Sequence, residues 1–171
     1  MWYLTLISII VTVAYVGYVT YRRGELPDSI SACVFDYSER SAMLCWTFFM
    51  WIAGFGGLVP LVVKLGDLGW IAFLALIGFG FLGVAPLVKG EKNTTHYLIG
   101  IATGFISQVA VVIYCPCWWL VWLVFVPLVA GAMGALNDAK EDVALCDGKG
   151  VLIAEGLCAL SVWGASLYGL P

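Results

Sequence analysis

The sequence predicts an all-α polytopic membrane protein, a compact bundle of six transmembrane helices forming a single integral membrane domain over residues 1–171. Three observations predict it. Hydrophobic residues make up 63% of the chain and charged residues 11%, where an ordinary soluble domain carries about a quarter charged residues. The mean hydropathy is +1.01. Six separate runs reach the roughly 20 apolar residues that a helix needs to cross a bilayer. Such a chain cannot cover itself with polar surface, so its primary partner is the lipid bilayer. A soluble enzyme, a nucleic-acid binder and a disordered tail are excluded.

The spans are predicted over residues 2–21, 42–63, 68–88, 96–114, 116–136 and 150–170. Lys64-Leu65-Gly66-Asp67 turns the second into the third, and Cys115-Pro116-Cys117 turns the fourth into the fifth. Turns this short make neighbouring helices antiparallel. Pro116 suits the first turn of the fifth helix, where its missing N–H is not needed. A membrane β-barrel would need segments alternating polar and apolar, whereas these runs are apolar all round. The run Gly78-Phe79-Gly80-Phe81-Leu82-Gly83 spells a dinucleotide-binding motif, but it lies inside a span with no strand beside it. It reads as helix-packing glycine, and the chain offers no cofactor site.

Orientation follows from the basic residues. Arg22, Arg23, Arg40, Lys89, Lys92, Lys140 and Lys149 fall in odd-numbered loops, and Lys64 alone falls on the other side. The positive-inside rule then predicts a multi-pass protein of the cell membrane with cytoplasmic odd loops and both termini outside. The first span lacks a basic n-region and precedes Arg22-Arg23, the pattern of an uncleaved anchor. Trp2, Trp70, Tyr114, Trp118, Trp119 and Tyr168 form an outer aromatic belt.

The six cysteines do not read as a disulfide framework. Cys33, Cys45 and Cys146 fall on the cytoplasmic side, where thiols stay reduced, and Cys158 is a small packing residue. Cys115 and Cys117 face out, but their spacing strains a mutual disulfide. A zinc site from Cys33, Cys45, Cys146 and His96 lacks paired-ligand spacing, so no metal is predicted. Asn93-Thr94-Thr95 spells a glycosylation acceptor but lies in a cytoplasmic loop.

Small and polar residues recur at helical spacing: Thr5, Ser8 and Thr12; Gly54, Gly57 and Pro60; His96, Gly100, Thr103 and Ser107; Glu155, Ala159, Val162 and Ser166. These stripes are expected to face inward, with large aliphatic and aromatic residues outward. Gln108, near mid-bilayer, must find partners or cost several kcal/mol. Glu155 lies roughly 7–8 Å into the sixth span at 1.5 Å per residue. An ionisable group at that depth is a functional-site candidate. His96, the only histidine, opens the fourth span on the same face. Ser29 and Ser31, in the polar loop after the first span, are placed as the lid of a pocket floored by His96 and Glu155. The candidate binding residues are thus His96, Glu155, Ser29, Ser31 and Gln108.

Pro27, Ser29, Ile30, Ser31 and His96, with Gly100 following, resemble the DRAM-type six-span membrane proteins and their uncharacterised bacterial relatives. In that family an Asp commonly follows Ile-Ser, where this chain has Ala32, and the first loop faces the lumen. The resemblance implies association with lipids or lipid-anchored molecules. Related seven-span hydrolases hold a metal with three histidines, which a single histidine cannot provide.

Function is expected to be the binding of a lipid headgroup or another membrane protein, with oligomers allowed. A lipid-headgroup enzyme is the second reading, with His96 as base, Ser29 or Ser31 as nucleophile and Glu155 as orienting acid. A transporter or channel subunit is the third, although no internal repeat relates the two halves.

Overall fold

The computed structural model describes residues 1–27, 29–30, 40–87, 93–123 and 150–168, and all regular structure among them is helical. Helix α1 (Trp2–Arg23) stops at Gly24, which adopts φ 76°. Helix α2 spans Arg40–Lys64, and a 3-10 turn at Gly66–Leu68 leads into α3 (Gly69–Val84). Helix α4 spans Asn93–Tyr114 and the last helix, α5, spans Gly150–Leu167. Trp2–Arg23, Arg40–Lys64 and the stretch Gly66–Leu87 are each long and apolar enough to cross a membrane, and Leu98–Tyr114 and Val151–Leu167 are shorter apolar helices.

These helices differ from the predicted spans mainly at their ends. Hydropathy stops at the first charge, whereas α1 continues through Arg22-Arg23 and α2 begins at Arg40. Pro86 falls in a 3-10 turn, Ala85–Leu87, that follows α3. The fifth span opens not as α-helix but as 3-10 helix over Pro116–Val121. Its residues 124–136 lie outside the described residues, as do Cys33, Lys89, Lys92, Lys140, Cys146 and Lys149.

Side-chain pairings fix the directions. Ser8 of α1 donates to the Ala53 carbonyl of α2 at 2.8 Å, and Tyr15 stacks on Phe49. Low numbers on α1 therefore meet high numbers on α2, and the two run antiparallel. Thr47 of α2 donates to the Gly83 carbonyl of α3, and Gly54 abuts Phe79, again antiparallel. Gly78 of α3 lies against Thr103 of α4, and Gly100 faces Leu82. But α4 and α5 run parallel: Gln108 meets Cys158 near their middles, and Tyr114 meets Tyr168 at their ends. The parallel pairing of α4 and α5 is compatible with six helices in the chain.

Close approach of backbones holds this arrangement. A Cβ at Gly56 would stand 2.5 Å from the Leu4 carbonyl oxygen of α1 and 2.8 Å from Ser8 Cβ. At Gly78 it would overlap the Thr103 hydroxyl, and at Gly83 it would meet the Trp51 indole at 2.8 Å. Two of the three glycines in the motif-like run thus seat α3 against α4 and α2, while Gly80 faces open space. Helix packing accounts for Gly78 and Gly83.

The predicted stripes face inward. Thr5, Ser8 and Thr12 of α1, Thr103 and Ser107 of α4, and Val162 and Ser166 of α5 are all buried. Ile7, Ile10, Val13, Phe48, Phe55, Phe73, Phe81 and Phe105 point out. The outward placement of aromatics fails at one end. Tyr15, Trp46 and Phe49 form a buried cluster with Val19, Met50 and Leu82, and Tyr15 and Phe49 stack with centroids 4.0 Å apart. The cause lies in α1: its inward positions are small at Thr5, Ser8 and Thr12, then large at Tyr15 and Val19.

Candidate functional site

At the end where α1 finishes and α2, α4 and α5 begin, the loop after α1 folds back over the bundle. Pro27 is fully buried and Ser29 is 5% exposed. Ile30 packs on the Tyr15–Trp46–Phe49 cluster. The loop is tied down by one carboxylate on the first turns of α5. The Ser29 hydroxyl donates to Glu155 Oε1 at 2.9 Å, and the Ile30 N–H donates to Oε2 at 2.5 Å. A carboxylate accepts such bonds more strongly than a neutral group does. Each of the two carboxylate oxygens accepts one of these bonds.

His96 opens α4 beneath the same cap. It is fully buried, with its ring centroid 6.4 Å from that of Trp46. Ile30 and His96 therefore both pack at the aromatic cluster, Ile30 through contact with it and His96 through Trp46. Arg22, Arg23 and Arg40 are exposed around this end, and Arg22 donates to the Tyr18 hydroxyl at 3.4 Å. Ser29, Ile30, Glu155 and His96 thus gather at one end of the bundle, where Arg22, Arg23, Arg40 and Glu25 are exposed.

Of the residues expected here, Ser29, Glu155 and His96 lie at one end of the bundle, with Ser29 and Glu155 in direct contact. Ser31 lies outside the described residues. Gln108 stands three turns further along α4 and serves the helix interface. Its Nε2 donates to the Cys158 carbonyl at 3.3 Å, and its Oε1 accepts from the Ser161 hydroxyl at 2.8 Å. The Ser29 hydroxyl donates to one Glu155 oxygen and the Ile30 N–H to the other. That geometry latches a loop. Among the described residues no three His, Cys, Asp or Glu side chains are grouped to hold a metal. Of the weighed zinc ligands, Cys45 is exposed and His96 is buried.

Two contributors were not visible in the sequence. Trp46 sits in an apolar run where any aromatic looks like a lipid-facing residue. The Ile30 amide is backbone, which carries no sequence signal. Compared with known proteins, the chain matches no family model, no curated protein and no solved structure.

Proposed function

We propose that the chain is an integral membrane protein of six spans whose lidded end binds an anionic lipid headgroup, without turnover. In this reading the Arg22, Arg23 and Arg40 end lies in the cytoplasm and both termini lie outside. The observation that carries it is the gathering of polar groups at one bundle end: Glu155 accepts from Ser29 and Ile30, and His96 is fully buried. Arg22, Arg23 and Arg40 are exposed at the same end, where the single exposed acidic residue among the described residues is Glu25. Guanidinium groups suit phosphate oxygens through paired N–H donors.

Membrane residence is supported by the outward face, where Ile10 and Val13 are each 64% exposed and Phe48, Phe73 and Phe81 at least 50%. Soluble monomers rarely leave such apolar surface in contact with water. Residence and orientation are also supported by the clustering of basic residues at one end. The resemblance of the Pro27–Ser31 loop and His96 to DRAM-type proteins points toward lipid in the same way.

The test is the lipid that travels with the protein. Protein extracted in mild detergent is expected to retain anionic phospholipid above its share in the bulk membrane, as read by lipid mass spectrometry. Replacing Arg22, Arg23 and Arg40 together with Gln should abolish the enrichment, and Glu155→Gln should weaken it. A bound-lipid composition equal to the bulk, and unchanged in both variants, would overturn the reading.

A further inference from the structure

We propose that Cys115 and Cys117, at the end of the bundle opposite the lid, form a redox-active dithiol that exchanges with small-molecule disulfides. Their Sγ atoms lie 3.3 Å apart. The backbone brings them together: the Cys115 N–H still bonds to the Val111 carbonyl as the last turn of α4, and its own carbonyl accepts from the Trp118 N–H. Pro116 starts the 3-10 turn between those bonds. One bend therefore places both sulfurs on the same side of the chain.

The two cysteines are not equivalent. Cys117 is exposed, while Cys115 is 2% exposed and belongs to a core cluster with Leu61, Ala110, Val111 and Ala165. Disulfide exchange needs one sulfur that meets the substrate and one that resolves the mixed disulfide. Burial, with the neighbouring Cys117 thiol, pushes the Cys115 thiol above its ordinary range. Lys64, whose ammonium lies 5.2 Å from the Tyr114 ring centroid, acts in the opposite sense and favours the Cys115 thiolate.

The chemistry balances as follows. The Cys117 thiolate attacks one sulfur of the incoming disulfide, that S–S bond breaks, and the first substrate thiolate leaves with the electron pair. Cys115 then loses its proton and attacks the Cys117 sulfur, closing the Cys115–Cys117 bond and expelling the second thiolate. Two protein thiols become one disulfide, the substrate disulfide becomes two thiols, and two protons pass to the leaving sulfurs. A disulfide closed over a single intervening residue is strained. Strained, exposed disulfides are readily reduced, so the pair would cycle and not lock.

This inference rests on observations separate from the headgroup reading, and its test is separate too. The full chain in detergent is equilibrated with graded ratios of reduced to oxidised glutathione, then alkylated, and its peptides are mapped by mass. Expected is the simultaneous loss of alkylation at Cys115 and Cys117, regained at more reducing ratios. Cys115→Ser should instead trap glutathione on Cys117, while Cys117→Ser should leave Cys115 unmodified. The exposed Cys45 is the internal control for a thiol that forms only a mixed disulfide. Independent alkylation of the two thiols in the unaltered chain at every ratio would overturn the proposal. So would a Cys115→Ser protein that accumulates no adduct.

Discussion

The Ser29 hydroxyl reaches across 126 positions of sequence to the Glu155 carboxylate, so the first loop and the last helix are held by one group. A hydrogen bond to a charged partner contributes about 1.5–3 kcal/mol net, and a neutral one about 1. Glu155→Ala should therefore destabilise more than Glu155→Gln, and Ser29→Ala less than either. Hydrogen exchange at the Ile30 amide is the sharper probe, because that N–H loses its acceptor outright in Glu155→Ala and keeps it in Ser29→Ala. Equal exchange in all three proteins would remove the latch.

Gly78 and Gly80 are two residues apart and should respond oppositely to alanine. At Gly78 a methyl overlaps the Thr103 hydroxyl, while at Gly80 nothing lies within 4 Å. Overpacking costs roughly 1–3 kcal/mol, and an unhindered helical Gly→Ala gains up to about 1 kcal/mol. Gly78→Ala should lower the unfolding midpoint and Gly80→Ala should hold or raise it. Adding Thr103→Ala to Gly78→Ala should recover most of the loss in a double-mutant cycle.

Ser161→Ala strips the Gln108 Oε1 of its donor. Interhelical hydrogen bonds within membranes average about 0.6 kcal/mol and reach about 1.7. A change of that size in unfolding free energy is expected, and Gln108→Leu combined with Ser161→Ala should cost less than the sum of the two. Strict additivity would show that the pair does not interact.

Lys64 donates to the Ser166 and Tyr168 carbonyls at 2.7 and 2.6 Å, capping the C-terminal end of α5. A cation there contributes about 0.3–1 kcal/mol. Lys64→Gln should speed hydrogen exchange in the last turn of α5 and leave its first turns unchanged. Uniform change along α5 would mean that Lys64 acts on the whole fold and not on the cap.

Orientation is checked with a membrane-impermeant maleimide on intact cells. Cys117 should be labelled, and a cysteine introduced at the exposed Glu25 should be labelled only after the cells are opened. The reverse pattern would invert the protein in the membrane.

The helices were legible because apolar runs of this length have few alternatives, and the inward stripes because small residues repeat at three and four. Glu155 was legible because a carboxyl inside an apolar run must be answered. What answers it was not: Ser29 and the Ile30 amide lie more than a hundred positions away, and no local pattern couples them. Tyr15, Trp46 and Phe49 escaped because a ring that packs a core and one that faces lipid look alike in sequence. Lys64 counted as the one exception to the charge rule, while the structure gives it local work at the end of α5. The spacing of Cys115 and Cys117 was plain and argued against a stable bond; their contact gives that same strain a use.

Among the described residues, α5 exchanges hydrogen bonds with α1, α2, α4 and the loop after α1. Trp163 donates to Ser8 at 2.9 Å, Ser166 to the Gly57 carbonyl at 2.7 Å, and Ser161 to Gln108 at 2.8 Å. Glu155 receives the first loop, and the end of α5 receives Lys64. A chain is made from its N-terminus at a few residues per second, so these groups are synthesised well before their partners. Until α5 is made, the Ser29 hydroxyl, the Gln108 carboxamide and the Lys64 ammonium lack these partners, and the docking of α5 supplies all three.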